Sequence, residues 1–203
     1  MTLVHDYDAD LSTRQYSRHY REEREMALSA LDCVLNGAKG IYASSELTTG
    51  GRAYGALDRS ACRTAEELAD PHRCALLKTN MEEAARFATR LREHFGGREL
   101  VITPAPFEAP GWTQAEYLAY WEELIRTRVK AVYFNDGWAL SNGCTFELAI
   151  ALEAGVPTFA ADCTPLPGDA AAEMVERAIA EVEARGYDAA RLRINLERIR
   201  RAG

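Results

Sequence analysis

Four short apolar runs, each separated from the next by enough chain for a helix, constrain this sequence more than any other feature. They are Gly40-Ile41-Tyr42-Ala43-Ser44, Glu99-Leu100-Val101-Ile102-Thr103, Val129–Phe134 and Val156-Pro157-Thr158-Phe159-Ala160. Runs of this length, rich in β-branched and aromatic residues, suit buried strands. Strands separated by helices pair in parallel through crossovers. The expected architecture is therefore an open parallel sheet covered by helices on both faces. In such sheets ligands bind beyond the carboxyl ends of the strands, which puts the loops after Tyr42, Thr103 and Phe134 on one rim.

The intervening segments read as helices with recognisable ends. Residues 11–36 form the first, with Ser12 as N-cap and Gly37 as stop. Residues 45–78 show no long period, apart from a short helix around 64–68. A structureless connection of about 30 residues is uncommon in a compact domain and is usually functional or disordered. Asn80 is expected to cap a helix over 80–95, which Gly96-Gly97 ends. Pro104, Pro106 and Pro110 hold an extended loop. Thr113 caps a helix over 113–127, Gly155 stops one over 143–154, and helices over 169–185 and 188–201 complete the chain. The predicted organisation is an N-terminal helical extension (1–37) and a single α/β domain (38–203).

Charge and cysteine usage narrow the function class. With 24 basic and 31 acidic side chains the net charge is -7, which argues against nonspecific nucleic-acid binding. A small anion is still admissible, because a few local donors can hold one phosphate. No stretch approaches the apolar length of a membrane span, and the residues from Met1 to Asp10 lack the pattern of a signal peptide. The five cysteines form no CxxC pair, so reduced thiols and a cytoplasmic location are expected. The four histidines show no ligand spacing, so no metal or cofactor is expected.

The most informative segment runs from Ala131 to Glu147: a buried strand, a loop Asn135-Asp136-Gly137-Trp138-Ala139-Leu140-Ser141-Asn142-Gly143, and a helix start with Cys144-Thr145-Phe146-Glu147. Free backbone N–H groups at a helix start favour an anion, and Ser141 can add a hydroxyl donor. Glu147 lies about one turn into the helix and can point at a ligand above it. On local physics alone an equally good account makes Ser141 an N-cap and Glu147 a favourable helix-start acid. A second segment, Tyr42-Ala43-Ser44-Ser45-Glu46-Leu47-Thr48-Thr49-Gly50-Gly51-Arg52, leads out of the first strand. By itself it reads as a strand aromatic followed by a turn.

Together the two segments resemble the nucleoside 2-deoxyribosyltransferase-like superfamily, which includes nucleotide N-glycosidases, CMP hydrolases and small phage and bacterial proteins. The match covers residues 38–160 and rests on Gly137-Trp138, Ser141, Gly143 and Glu147, with Tyr42, small residues and Gly50-Gly51-Arg52 on the first loop. That loop is a residue longer than in the nucleotide N-glycosidases. The resemblance implies a Rossmann-like (flavodoxin-like) α/β fold with an added N-terminal helix. It makes Glu147 the carboxylate that attacks or stabilises the anomeric carbon, with Tyr42 orienting it. Ser44, Ser45, Gly50, Gly51, Arg52, Asp136, Trp138, Ser141, Asn142 and Gly143 are then expected around the substrate, with Trp138 able to stack on a base and equally able to form a hydrophobic lid contact or a subunit interface. The acid that the superfamily carries on the helix before the middle strand is replaced here: Glu122, beside Glu123, takes its position, and Asp136 is the other candidate.

The implied reaction is cleavage of an N-glycosidic bond through an oxocarbenium-like transition state. Water as acceptor gives a hydrolase and a second base gives a deoxyribosyltransferase. The nucleoside transferases carry an Asp at position 141 that holds a free 5'-hydroxyl, so Ser141, like Arg52, leans toward a 5'-monophosphate. A homodimer is implied too, with the first helix and Tyr117, Tyr120 and Trp121 offering apolar surface. A noncatalytic nucleotide-binding module on the same fold is the alternative. The Pro-Gly-Gly-x-Gly-Thr run of the phosphoribohydrolases and the GxGxxG of dinucleotide-binding oxidoreductases are both missing.

Overall fold

A computed structural model of the chain describes residues 18–60, 62, 64, 67–105 and 107–203. Ser12, Tyr16, Pro106 and residues 65–66 of the short helix expected at 64–68 lie outside the described residues. The elements run α1 (Arg18–Leu35), β1 (Gly40–Ser44), α2 (Gly51–Asp58), α3 (Asp70–His94), β2 (Val101–Ile102), α4 (Gln114–Arg128), β3 (Val129–Phe134), α5 (Asn142–Glu153), β4 (Thr158–Phe159), α6 (Gly168–Ala184) and α7 (Ala190–Ala202). The four strands are all parallel, in the order β2-β1-β3-β4. The fold is thus the expected Rossmann-like α/β sheet with an N-terminal helix. Among the described residues no helix is long and apolar enough to cross a membrane.

The period of two along the strands sends alternate side chains to opposite faces. Ile41, Ala43, Ala131 and Tyr133 pack with Phe87, Ala88 and Leu91 of α3 in one cluster. Tyr42, Val132 and Phe134 belong to the larger cluster on the other face, built with residues of α4, α5, α6 and α7. Both faces are therefore buried, which is why the strands read as continuous apolar runs. Helix α1 is tied to the α4 side of the molecule. Arg128 on α4 grips Asp32 with two nitrogens at 2.7 and 2.8 Å, and the indole of Trp112 donates to Glu23 at 2.8 Å.

Two expectations about the second quarter of the chain are corrected. The 45–78 stretch is not structureless: it contains α2 and the first turns of α3. Asn80 does not cap a helix, since α3 starts ten residues earlier, with Pro71 in its first turn, where a missing N–H costs nothing. Asn80 sits buried in mid-helix, and its amide donates to the Leu47 carbonyl at 2.7 Å. That tertiary bond offsets the weak helix propensity of Asn. At Thr113 the expectation and the structure agree: its hydroxyl and the Glu116 carboxylate form a reciprocal capping box.

Candidate active site

The strand order creates the site. From β1 the chain moves to β2 on one side of the sheet, while β3 lies on the other side of β1. The strand order therefore reverses between β1 and β3, the place where ligands bind in such sheets, and the loops leaving their carboxyl ends meet there. Tyr42 and Ser44, two residues apart on β1, face the same side. From β3 the chain passes through Gly137, which takes a left-handed φ of 81°, a 3-10 turn over Trp138–Leu140, and into α5. Glu147 sits in the second turn of α5 and turns toward β1.

There Glu147 is held by both oxygens. The Tyr42 hydroxyl donates to Oε1 at 2.8 Å and the Ser44 hydroxyl donates to Oε2 at 2.6 Å. Only 7 % of Glu147 is exposed, and among the described residues no Lys, Arg or His pairs with it. Burial pushes its carboxyl up to about 7, against the pull of the Ser44 and Tyr42 hydrogen bonds. Burial likewise raises the Tyr42 hydroxyl well above its usual range, with the Glu147 charge adding to the effect, so Tyr42 remains a donor. One turn before Glu147, the buried Cys144 thiol is pushed up to about 12, mainly by burial. A neutral thiol of that kind is packing, not a nucleophile. The arrangement is a buried carboxylate, gripped by two hydroxyls and lacking a cation, which can oppose positive charge that develops beside it.

The helix start above Glu147 is already engaged. Ser141 is the N-cap, and its Oγ accepts from the Cys144 N–H at 3.4 Å. Thr49, from the β1–α2 loop, accepts from the Asn142 N–H at 3.0 Å and lies 3.5 Å from the Ser141 hydroxyl. Asn195 of α7, itself buried, donates to the Asn142 carbonyl at 3.1 Å and to the Thr145 hydroxyl at 2.9 Å, fixing this end of α5. Gly143 is partly exposed beside them. The β1–α2 loop thus lies against the helix start, with Gly50 and Gly51 at the entry to α2.

Other expected site residues are placed differently. Arg52 does not stand open: Nη1 pairs with Glu46 at 2.8 Å and reaches Asn80 at 3.3 Å, while Nη2 lies 3.6 Å from Glu83. Ser45 follows Ser44 but is buried, and its hydroxyl finds no partner among the described residues. Asp136 is exposed. Trp138, for which the sequence leaves base stacking, a lid contact and a subunit interface equally open, is only 3 % exposed and packs on Phe134 with ring centres 5.3 Å apart. Its apolar ring is worth more in the core than in water. Glu122, one of the two candidates for the acid, lies partly buried in an ion-pair network. It pairs with Arg126 at 3.1 Å, and Arg126 pairs with Glu153 at 2.6 Å, about 9 Å further along the α5 axis than Glu147 at 1.5 Å per residue.

Four participants escaped the sequence reading. Trp121 lies against Tyr42, ring centres 5.8 Å apart, and Phe107 lies against Trp121 at 5.4 Å. Thr49 and Glu46 stand in the quoted loop, but a hydroxyl or an acid in a Gly-containing loop looks like a solvated turn residue. Nothing in the local pattern marks either as buried or bonded. Comparison of the chain with protein-family models, with curated proteins and with solved structures finds no match.

Proposed function

We propose that this chain cleaves the N-glycosidic bond of a nucleoside 5'-monophosphate or nucleoside and releases the base, with the Glu147 carboxylate acting at C1'. The observation that carries the reading is the double grip of Tyr42 and Ser44 on a buried carboxylate that pairs with no cation among the described residues. Such a group is poorly compensated at rest and becomes compensated when C1' turns cationic, which is stabilisation specific to the transition state. The hydroxyls fix its direction, so no reorganisation is needed as the charge appears. With water as acceptor the outcome is hydrolysis; with a second base it is deoxyribosyl transfer. The chain would act as a cytoplasmic homodimer on a small nucleotide.

A noncatalytic nucleotide-binding module is the competing reading, favoured by the engagement of the α5 start by Thr49 and Ser141. One experiment separates the two. Nucleosides and 5'-monophosphates are incubated with wild type and with Glu147→Gln, and free base is measured by chromatography. The expected result is base release by wild type and a loss on the order of 10²-fold or more in the variant, the scale of removing one electrostatic stabiliser, with nucleotide affinity retained. Base release at the wild-type rate by Glu147→Gln sinks the reading, and binding without release by either protein favours the module.

A further inference from the structure

The β1–α2 loop holds a second buried carboxylate that the chemistry above leaves unused. Glu46 is 6 % exposed. Its Oε2 accepts from the Gly51 N–H at 2.8 Å, and its Oε1 accepts from Arg52 at 2.8 Å. A Cβ placed on Gly137 would lie 3.8 Å from Glu46 Oε2, so this carboxylate sits between the two rim loops. Glu46 follows by two residues Ser44, the end of β1, whose hydroxyl grips Glu147 at 2.6 Å, so both carboxyl groups belong to the β1 end of the rim. The groups that face Glu46 are the Arg52 guanidinium and the Gly51 N–H, both from α2. Glu83 of α3 acts on it through Arg52, and Asp136, next to Gly137, is exposed.

The two carboxylates are compensated in opposite ways. Glu147 has two hydroxyls and, among the described residues, no cation. Glu46 has a cation whose side chain is 42 % exposed and therefore within reach of a dissolved anion. An anion that competes for Arg52 would leave Glu46 as a buried charge without its counter-ion, and such a group takes a proton. We propose that Glu46 is the proton carrier of this site: an anionic sugar phosphate draws Arg52 away, Glu46 takes up a proton, and the neutral acid delivers it to the departing base. This rests on the N-glycosidase reading. The C1'–N bond breaks with its electron pair going to the base nitrogen, that nitrogen receives the Glu46 proton, and Glu147 takes C1'. Water then adds its oxygen to C1' as Glu147 leaves, and its proton goes to Glu46, which restores both carboxyl groups. Burial already raises the proton affinity of Glu46 above that of an ordinary carboxyl group, even with Arg52 and the Gly51 N–H opposing it.

The test begins with ribose 5-phosphate, titrated calorimetrically into wild type and Glu46→Gln at one pH in buffers of different ionisation heat. Gln keeps an oxygen for the Gly51 N–H, and a thermal melt checks that the variant is folded. Wild type should take up more protons on binding than Glu46→Gln, by as much as one per chain. Equal uptake with retained binding overturns the proposal alone, whereas failure of wild type to bind ribose 5-phosphate removes the nucleotide reading beneath it. The second arm compares leaving groups. In a single turnover, Glu46→Gln should slow base release on the order of 10²-fold for a natural base and leave the first release of p-nitrophenolate from the matching ribosyl phosphate almost unchanged, because that anion needs no proton. Glu147→Gln should lose both. Equal losses by Glu46→Gln on the two leaving groups overturn the assignment.

Discussion

At the scale of single residues, Glu147 carries a cost that function would explain. Burial holds its folded-state carboxyl at about 7, above the ordinary 4.5 of a free glutamate, so between these values the folded chain binds more protons than the unfolded one. Stability from this group is then present at low pH and is lost as pH rises through 7. Glu147→Gln, which removes the ionisation, should therefore raise the melting temperature at pH 8, by an amount worth on the order of 2 kcal/mol, and the gain should vanish near pH 4. Melting curves at the two pH values check this, and a variant less stable than wild type at pH 8 contradicts it. Tyr42→Phe acts on the same equilibrium from the other side. It removes a hydrogen bond that favours the charged carboxylate, so the Glu147 titration should move upward by about one pH unit. Carboxyl NMR of labelled glutamate would read the shift directly, and an unmoved titration would mean that the Tyr42 bond does not stabilise the charge.

Among the elements, the β1–α2 loop is the least tolerant segment of the rim. Gly50 adopts φ 139°, and a Cβ there would stand 1.8 Å from Glu46 Oε2. Both the backbone conformation and the space demand glycine. Gly50→Ala should cost about 2–4 kcal/mol in chemical denaturation and weaken ligand binding, because relief of the clash displaces Glu46 and the loop that carries Thr49. A variant as stable as wild type would show that the loop is free to move aside. The opposite case is α4, whose capping box lies within four consecutive residues, Thr113 to Glu116. That signal could be read from the sequence, because donors and acceptors a turn apart meet whatever the rest of the chain does.

For the whole molecule, the proposed homodimer keeps only one of its two expected apolar surfaces, the first helix. Tyr120 and Trp121 are buried within the chain, and Phe107 stacks on Tyr120 with ring centres 4.7 Å apart. The large apolar side chains that do face outward include Met26 and Val34 of α1. Light scattering at micromolar concentration should give twice the chain mass, and Met26→Glu combined with Val34→Glu should lower it. A monomeric wild type rules out the dimer, and a dimer indifferent to both substitutions moves the interface off α1.

The sequence by itself determined the layered α/β plan, the full extents of β1 and β3, and the placing of Glu147 close behind a helix start. Those features depend on periodicity and on neighbours within a turn, so they are written locally. Only the tertiary structure decided that Tyr42 and Ser44, 105 and 103 residues away, close on Glu147. It also decided that Trp138 and Glu46 are buried, that Asn80 serves the β1–α2 loop from the middle of α3, and that Glu122 faces Arg126. Burial and pairing of this kind are set by which strands become neighbours. The crossovers that make β1 adjacent to β3 leave no mark on the residues that they bring together.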